Sequence, residues 1–155
     1  MNLNIVLFEP EIPQNTGNIA RTCVLTNSKL HLIKPLGFSL DEKHLKRAGL
    51  DYWKFLDLEI HESYEDFREK YSVGTFYFST TKGAHIYTET KFKSGDFIVF
   101  GKETAGLPQS IRENNAESCL RVPMLETSTR SLNLSNTVSI VVYEALRQMD
   151  FPNMK

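Results

Sequence analysis

Three short segments collect side chains of the kinds that bind or react. The first is Asn15-Thr16-Gly17-Asn18-Ile19-Ala20-Arg21, which sets amides and a guanidinium around a glycine. Spacing alone also permits a plainer reading, with Asn15 or Thr16 as a helix cap and Arg21 as a solvated surface residue. The second is Phe100-Gly101-Lys102-Glu103-Thr104-Ala105-Gly106-Leu107-Pro108. Gly101 lets a ligand approach the backbone, Gly106 permits a positive φ, and Glu103 between them can accept hydrogen bonds from a ligand or a basic group. The segment is neither GxGxxG nor GxxxxGK, so a dehydrogenase or P-loop reading lacks its fingerprint. The third is Val122-Pro123-Met124, followed by Arg130-Ser131-Leu132-Asn133-Leu134-Ser135-Asn136. One helix needs one cap, yet Ser131, Asn133, Ser135 and Asn136 are all on offer. Polar side chains beside the free amides of a helix start suit a polar ligand.

Other chemistries have little support. No Ser-His-Asp or Cys-His arrangement follows from order or spacing. His31, His44, His61 and His85 show no HxxxH or HxH spacing, so no metal site is expected. Cys23 and Cys119 are far apart and form no CxxC, which reads as two buried thiols in a reducing cytoplasm.

The elements that must position these segments alternate. Residues 3–8 are short and apolar and read as a buried strand, and the prolines at 10 and 13 impose a loop after it. A helix follows in which Ile19, Ala20, Cys23 and Val24 share a face. Residues 30–33 form a strand, and Asp41 caps a short helix through Ala48 that Gly49 ends. Leu56, Leu58 and Ile60 alternate as in a half-exposed strand, and Ser63 with Asp66 resembles a capping box for a helix reaching about Tyr71. Residues 75–78, 97–100 and 119–122 read as strands, and Pro108 suits the first turn of a short helix. The last helix runs from about Leu134 to Met149, with Leu134, Val138, Val141, Val142, Ala145 and Met149 in one stripe, and Pro152 bars its continuation. Strands alternating with helices imply one α/β domain over residues 1–155, a parallel sheet with helices on both faces. In such sheets ligands bind beyond the carboxyl ends of the strands, where the three segments fall.

Composition agrees with a globular α/β protein. The chain has 155 residues, 41% hydrophobic and 24% charged, with 18 Lys and Arg against 19 Asp and Glu. A net charge of −1 excludes a basic tail protein but not RNA binding, because phosphates respond to the contact surface and not to the whole chain. No apolar stretch approaches the ~20 residues of a membrane span, and the N-terminus lacks the basic start of a signal peptide.

Taken in order, the three segments resemble the signature motifs of SPOUT-class RNA methyltransferases. With Lys46-Arg47-Ala48-Gly49-Leu50-Asp51-Tyr52 and Thr80-Thr81-Lys82-Gly83, nearly the whole chain is similar to the small tRNA (cytidine/uridine-34-2′-O)-methyltransferases of that class. The resemblance implies a C-terminal trefoil knot, S-adenosyl-L-methionine bound in it, and a cytoplasmic homodimer with the active site near the subunit interface. It implies methylation of the ribose 2′-hydroxyl at the wobble position of tRNA, in leucine isoacceptors. Arg21 is the implied catalytic residue, supported by Asn15, Glu103, Asn133 and Ser131. Ser79, Gly101, Val122 and Ser131 are the implied cofactor contacts. An arginine is an awkward base, with a pKa above ~12, so Arg21 is expected to fix a phosphate and polarise the hydroxyl. Substrate grip is expected from Lys43, Lys46 and Arg47, spaced to share a helical face, and from Lys82 beyond a strand end. With no further RNA-binding domain, an anticodon stem-loop is the expected target, with no metal and no membrane. The alternatives are another tRNA or rRNA nucleotide, or a catalytically silent RNA-binding module.

Overall fold

The computed structural model describes residues 1–41 and 53–155. The helix expected over residues 41–48, and with it Lys43, Lys46 and Arg47, lies outside the described residues, Asp41 apart.

Among the described residues, seven strands pair in the order β3-β2-β1-β6-β4-β7-β5, every pair parallel. They are β1 (Asn4–Phe8), β2 (Lys29–Ile33), β3 (Leu58–His61), β4 (Phe76–Ser79), β5 (His85–Ile86), β6 (Phe97–Phe100) and β7 (Cys119–Arg121). β1 and β6 are central and buried throughout, as a sheet covered on both faces requires. The strand period of two sorts their side chains. Leu3, Ile5, Leu7, Ile98 and Phe100 pack with helices α1 (Pro13–Leu25) and α4 (Leu134–Gln148). Val6, Phe8, Phe97 and Val99 pack on the opposite face with Phe67 of helix α2 (Tyr64–Lys70) and Ile111 of helix α3 (Gln109–Asn114). The expected architecture, helices on both faces of a parallel sheet, is the one observed.

The stripe foreseen for the last helix is also present. Val138, Val141, Val142 and Ala145 are fully buried, and Leu134 and Met149 pack against the same cluster. Ser63 caps α2, its hydroxyl accepting from the Asp66 N–H at 3.0 Å. Both cysteines are free and buried, and burial pushes the Cys23 thiol far above its ordinary range.

Some local expectations are corrected. α1 begins at Pro13 with Ile12 in the cap position, so Asn15 and Thr16 lie inside the first turns and cap nothing. Proline is preorganised for a first helical position and has no N–H to satisfy, which moves the cap three or four residues towards the N-terminus. Pro108 stands at the N-cap of α3, one place before its first turn. Leu56 and Val122 fall just outside β3 and β7, and Thr75 just before β4. The two-residue strand β5 was not foreseen, because so short a segment carries no periodicity.

Candidate active site

The carboxyl ends of β4, β6 and β7 open into one cavity of about 250 Å³. Its walls include Ser79, Gly101, Val122 and Ser131, together with Lys82 and Glu103. Thus all four expected cofactor contacts, separated by up to 52 positions in the chain, meet at one recess. Apolar Phe100, Leu107, Val122 and Leu134 line it together with Ser79, Thr80, Ser131 and Thr137.

Backbone constraint shapes the 101–106 loop. A Cβ on Gly101 would sit 2.3 Å from the Gly106 carbonyl carbon and 2.4 Å from the Leu107 nitrogen, so only glycine lets the loop fold back this tightly. Gly106 has φ +66°, and its N–H donates to the Lys102 carbonyl at 2.9 Å.

Glu103 does not face an isolated ligand site. Its Oε1 accepts from the Glu11 N–H and its Oε2 from the Ile12 N–H, both at 2.8 Å. A carboxylate from a distant loop therefore does the work that no local side chain does at the start of α1, where negative charge also favours the helix dipole. Its Oε2 further accepts from Asn15 Nδ2 at 3.2 Å. Asn15 Oδ1 in turn accepts from Asn133 Nδ2 at 3.0 Å. Asn133 Oδ1 caps α4, accepting from the Ser135 N–H at 2.9 Å and the Ser135 hydroxyl at 2.6 Å. A continuous chain of polar contacts, Glu103–Asn15–Asn133–Ser135, ties the three segments together. Three of the four expected catalytic residues belong to it.

Arg21 stands apart. It is exposed on α1, six residues beyond Asn15 or ~9 Å along the axis, and is not among the residues that wall the cavity.

Sequence reasoning missed a reciprocal tie in the same place. Glu11 Oε1 accepts from the Thr104 N–H at 3.0 Å and the Thr104 hydroxyl at 2.8 Å, and those bonds hold its carboxyl below the usual range. Lys102 Nζ reaches Glu9 Oε1 at 3.4 Å. The segments 9–12 and 102–104 are thus clasped from both sides. No local pattern reveals a bond between residues some 93 positions apart.

A second unforeseen cluster lies under α2. His31 and His61, on adjacent strands, are 3.0 Å apart from Nδ1 to Nε2. Asn4 Oδ1 can only accept, so His31 Nε2 donates to it at 2.9 Å, and His61 Nε2–H donates to His31 Nδ1. Glu59 lies 3.5 Å from His61 Nε2. Burial, reinforced by His61, pushes the His31 imidazole down to about 3. Burial tends to raise the Glu59 carboxyl, but hydrogen bonds from Lys70, Tyr71 and Lys29 outweigh it and hold the group at about 2. The donor atoms of His31, Glu59 and His61 lie within 4.8 Å of one another. Two ammonium groups on the same carboxylate, at 3.0 and 2.7 Å, oppose a dication there. The geometry is that of two buried, uncharged imidazoles beside an ion-paired carboxylate.

Residues 2–143 match the model of the SpoU rRNA Methylase family. The tRNA (cytidine(34)-2′-O)-methyltransferase of Escherichia coli strain K12 is 50% identical, over 97% of this chain and 96% of its own. A solved structure described as giving insights into the 2-OH methylation of C/U34 on tRNA superposes with a TM-score of 0.89 at 42% identity, covering 96% of each chain. The SpoU methyltransferase AviRb from Streptomyces viridochromogenes, solved in complex with the cofactor AdoMet, shares the fold, with a TM-score of 0.82 at 22% identity over 99% of this chain and 59% of its own. The chain belongs to the SpoU rRNA methylase family.

Proposed function

We propose that the protein transfers the methyl group of S-adenosyl-L-methionine to the ribose 2′-hydroxyl of the wobble nucleotide, cytidine or modified uridine 34, in tRNA. The observation that carries this reading is the convergence of Ser79, Gly101, Val122 and Ser131 on one cavity whose loops are tied to α1 through Glu103, Asn15 and Asn133. The cavity suits that cofactor. Its apolar lining residues offer a surface for the adenine ring, and its hydroxyl-bearing residues and loop amides offer partners for the polar groups. The sulfonium supplies an already activated methyl, so the protein must align an in-line attack, and positioning of this kind supplies up to ~7–11 kcal/mol of a barrier.

The carbon–sulfur bond breaks as the carbon–oxygen bond forms, and the 2′-hydroxyl proton leaves. Arg21 holds the adjacent phosphate in its two-pronged guanidinium and polarises the hydroxyl, and the proton passes to phosphate oxygen or to solvent. Glu103, Asn15 and Asn133 act as positioning residues for α1 and the cavity loops. Lys82, at the rim, adds positive charge for an anticodon stem-loop, with Lys43, Lys46 and Arg47 in the same role. Because Arg21 is outside the cavity wall, a homodimer that brings the α1 surface of one copy to the cavity of the other completes the site. The reading includes one working domain over residues 1–155, the trefoil knot of the class, action in the cytoplasm and leucine isoacceptors as substrates.

Incubation with methyl-labelled S-adenosyl-L-methionine and bulk tRNA is expected to leave label on the 2′-oxygen of nucleotide 34. Label at another nucleotide or in rRNA alone, or none at all, overturns the assignment. Arg21→Lys is expected to slow turnover at least about tenfold, since an ammonium lacks the planar fork. Full turnover in that variant removes the two-pronged role.

A further inference from the structure

Beside the first cavity lies a second recess of about 530 Å³ that shares Thr81, Val122, Met124 and Ser131 with it. Its remaining wall is the 121–130 segment, with Arg121, Ser128 and Arg130 facing the space.

Charge distinguishes this region from the rest of the molecule. The whole chain carries a net −1. The two recesses together carry Lys82, Lys102, Arg112, Arg121 and Arg130 against only Glu103 and Glu126. Glu103 is committed to backbone amides, and Lys102 to Glu9. Arg121 donates to the carbonyls of Gly83 and Ala84 at 3.0 and 3.2 Å. Those acceptors are neutral, so they fix the guanidinium without cancelling its charge. No ion pair engages Arg130 among the described residues. The Ser128 hydroxyl donates to the Arg130 carbonyl at 2.8 Å and accepts from the Arg130 N–H at 3.2 Å, folding this part of the loop into a tight turn.

We propose that the second recess seats the sugar-phosphate of a nucleotide flanking the one methylated, with Arg130 contacting its phosphate and Arg121 a fixed positive charge in the wall. The inference rests on the RNA-methylating reading and deepens it. A polyanion threaded past the methyl donor needs a positive, polar seat continuous with the donor's cavity, and this recess is continuous with it and of that character. Phosphate contacts position an RNA strand without reading its sequence, so the seat accepts any flanking base.

The test compares wild type, Arg130→Ala and Arg130→Lys. For each, tRNA affinity is measured over a range of KCl concentrations, S-adenosyl-L-methionine affinity by calorimetry, and thermal stability by melting. Arg130→Ala is expected to weaken tRNA binding about tenfold at low salt. It should also flatten the log–log salt dependence by about 0.7, the share of one single-strand phosphate contact. Arg130→Lys should restore the slope, and cofactor affinity and melting should match wild type in both. Unchanged tRNA affinity and slope in Arg130→Ala overturn the seat, as does a parallel loss of cofactor affinity, which would mark a wall of the donor cavity only. A wild-type protein that methylates no tRNA overturns the functional reading, while the difference in slope, read by binding alone, still decides the recess.

Discussion

Replacing Glu103 by glutamine preserves shape and volume and turns one acceptor oxygen into a donor. Oε1 serves one N–H, and Oε2 serves one N–H and one side-chain amide. The glutamine therefore places its NH2 at the Oε1 position, where it meets the Glu11 N–H donor to donor. One hydrogen bond to a charged acceptor is lost, worth ~1.5–3 kcal/mol. The two that remain lose their charge assistance, and the start of α1 loses a dipole contact of ~0.3–1 kcal/mol. The sum is about 2–4 kcal/mol, discounted towards the lower end because the site is only half-buried. At ~2–4 °C of melting temperature per kcal/mol for a chain of this size, Glu103→Gln should melt about 4–10 °C below wild type. Calorimetry at neutral pH reads the shift. Cofactor affinity should fall with it, because Glu103 holds the loop that walls the cavity. A melting temperature within a degree of wild type would refute the idea that this carboxylate clamps α1 to the loop.

Two other outcomes follow from the structure. His31 has a folded-state pKa of about 3 against an ordinary 6.5, so between those values the unfolded chain binds a proton that the native protein refuses. Stability should therefore fall as pH drops, by roughly 2 kcal/mol from pH 6.5 to 5 for this residue. Glu59, depressed from 4.5 to about 2, adds a further loss between those two values. Urea midpoints across this range check the sign, and a flat profile from pH 6.5 to 5 refutes it. Gly101→Ala places a methyl against backbone atoms of Gly106 and Leu107 at 2.3–2.6 Å. That loop must open, and cofactor affinity should fall at least about tenfold; calorimetric binding equal to wild type would show that the turn relaxes freely.

Much was legible in the chain itself because it is local. The buried strands at residues 4–8 and 97–100, the Ser63 cap and the apolar stripe of α4 arise from neighbouring residues whose periodicity or hydrogen bonding needs no distant partner. The same holds for the three motifs, whose residue types and spacing already suggested ligand loops. Where those motifs meet was decided only by the parallel sheet. Strand order brings the ends of β4, β6 and β7 together, and the meeting point reassigns individual residues. Asn15 reads as a helix cap in isolation, yet in the fold Glu103 takes over the start of α1 and frees Asn15 to link it to Asn133. Glu11 and Thr104, or His31 and His61, carry no local sign of their partners. Hydrogen-bond partners are set by distance in space, and over separations of 30 to 118 residues only the packed tertiary structure sets that distance.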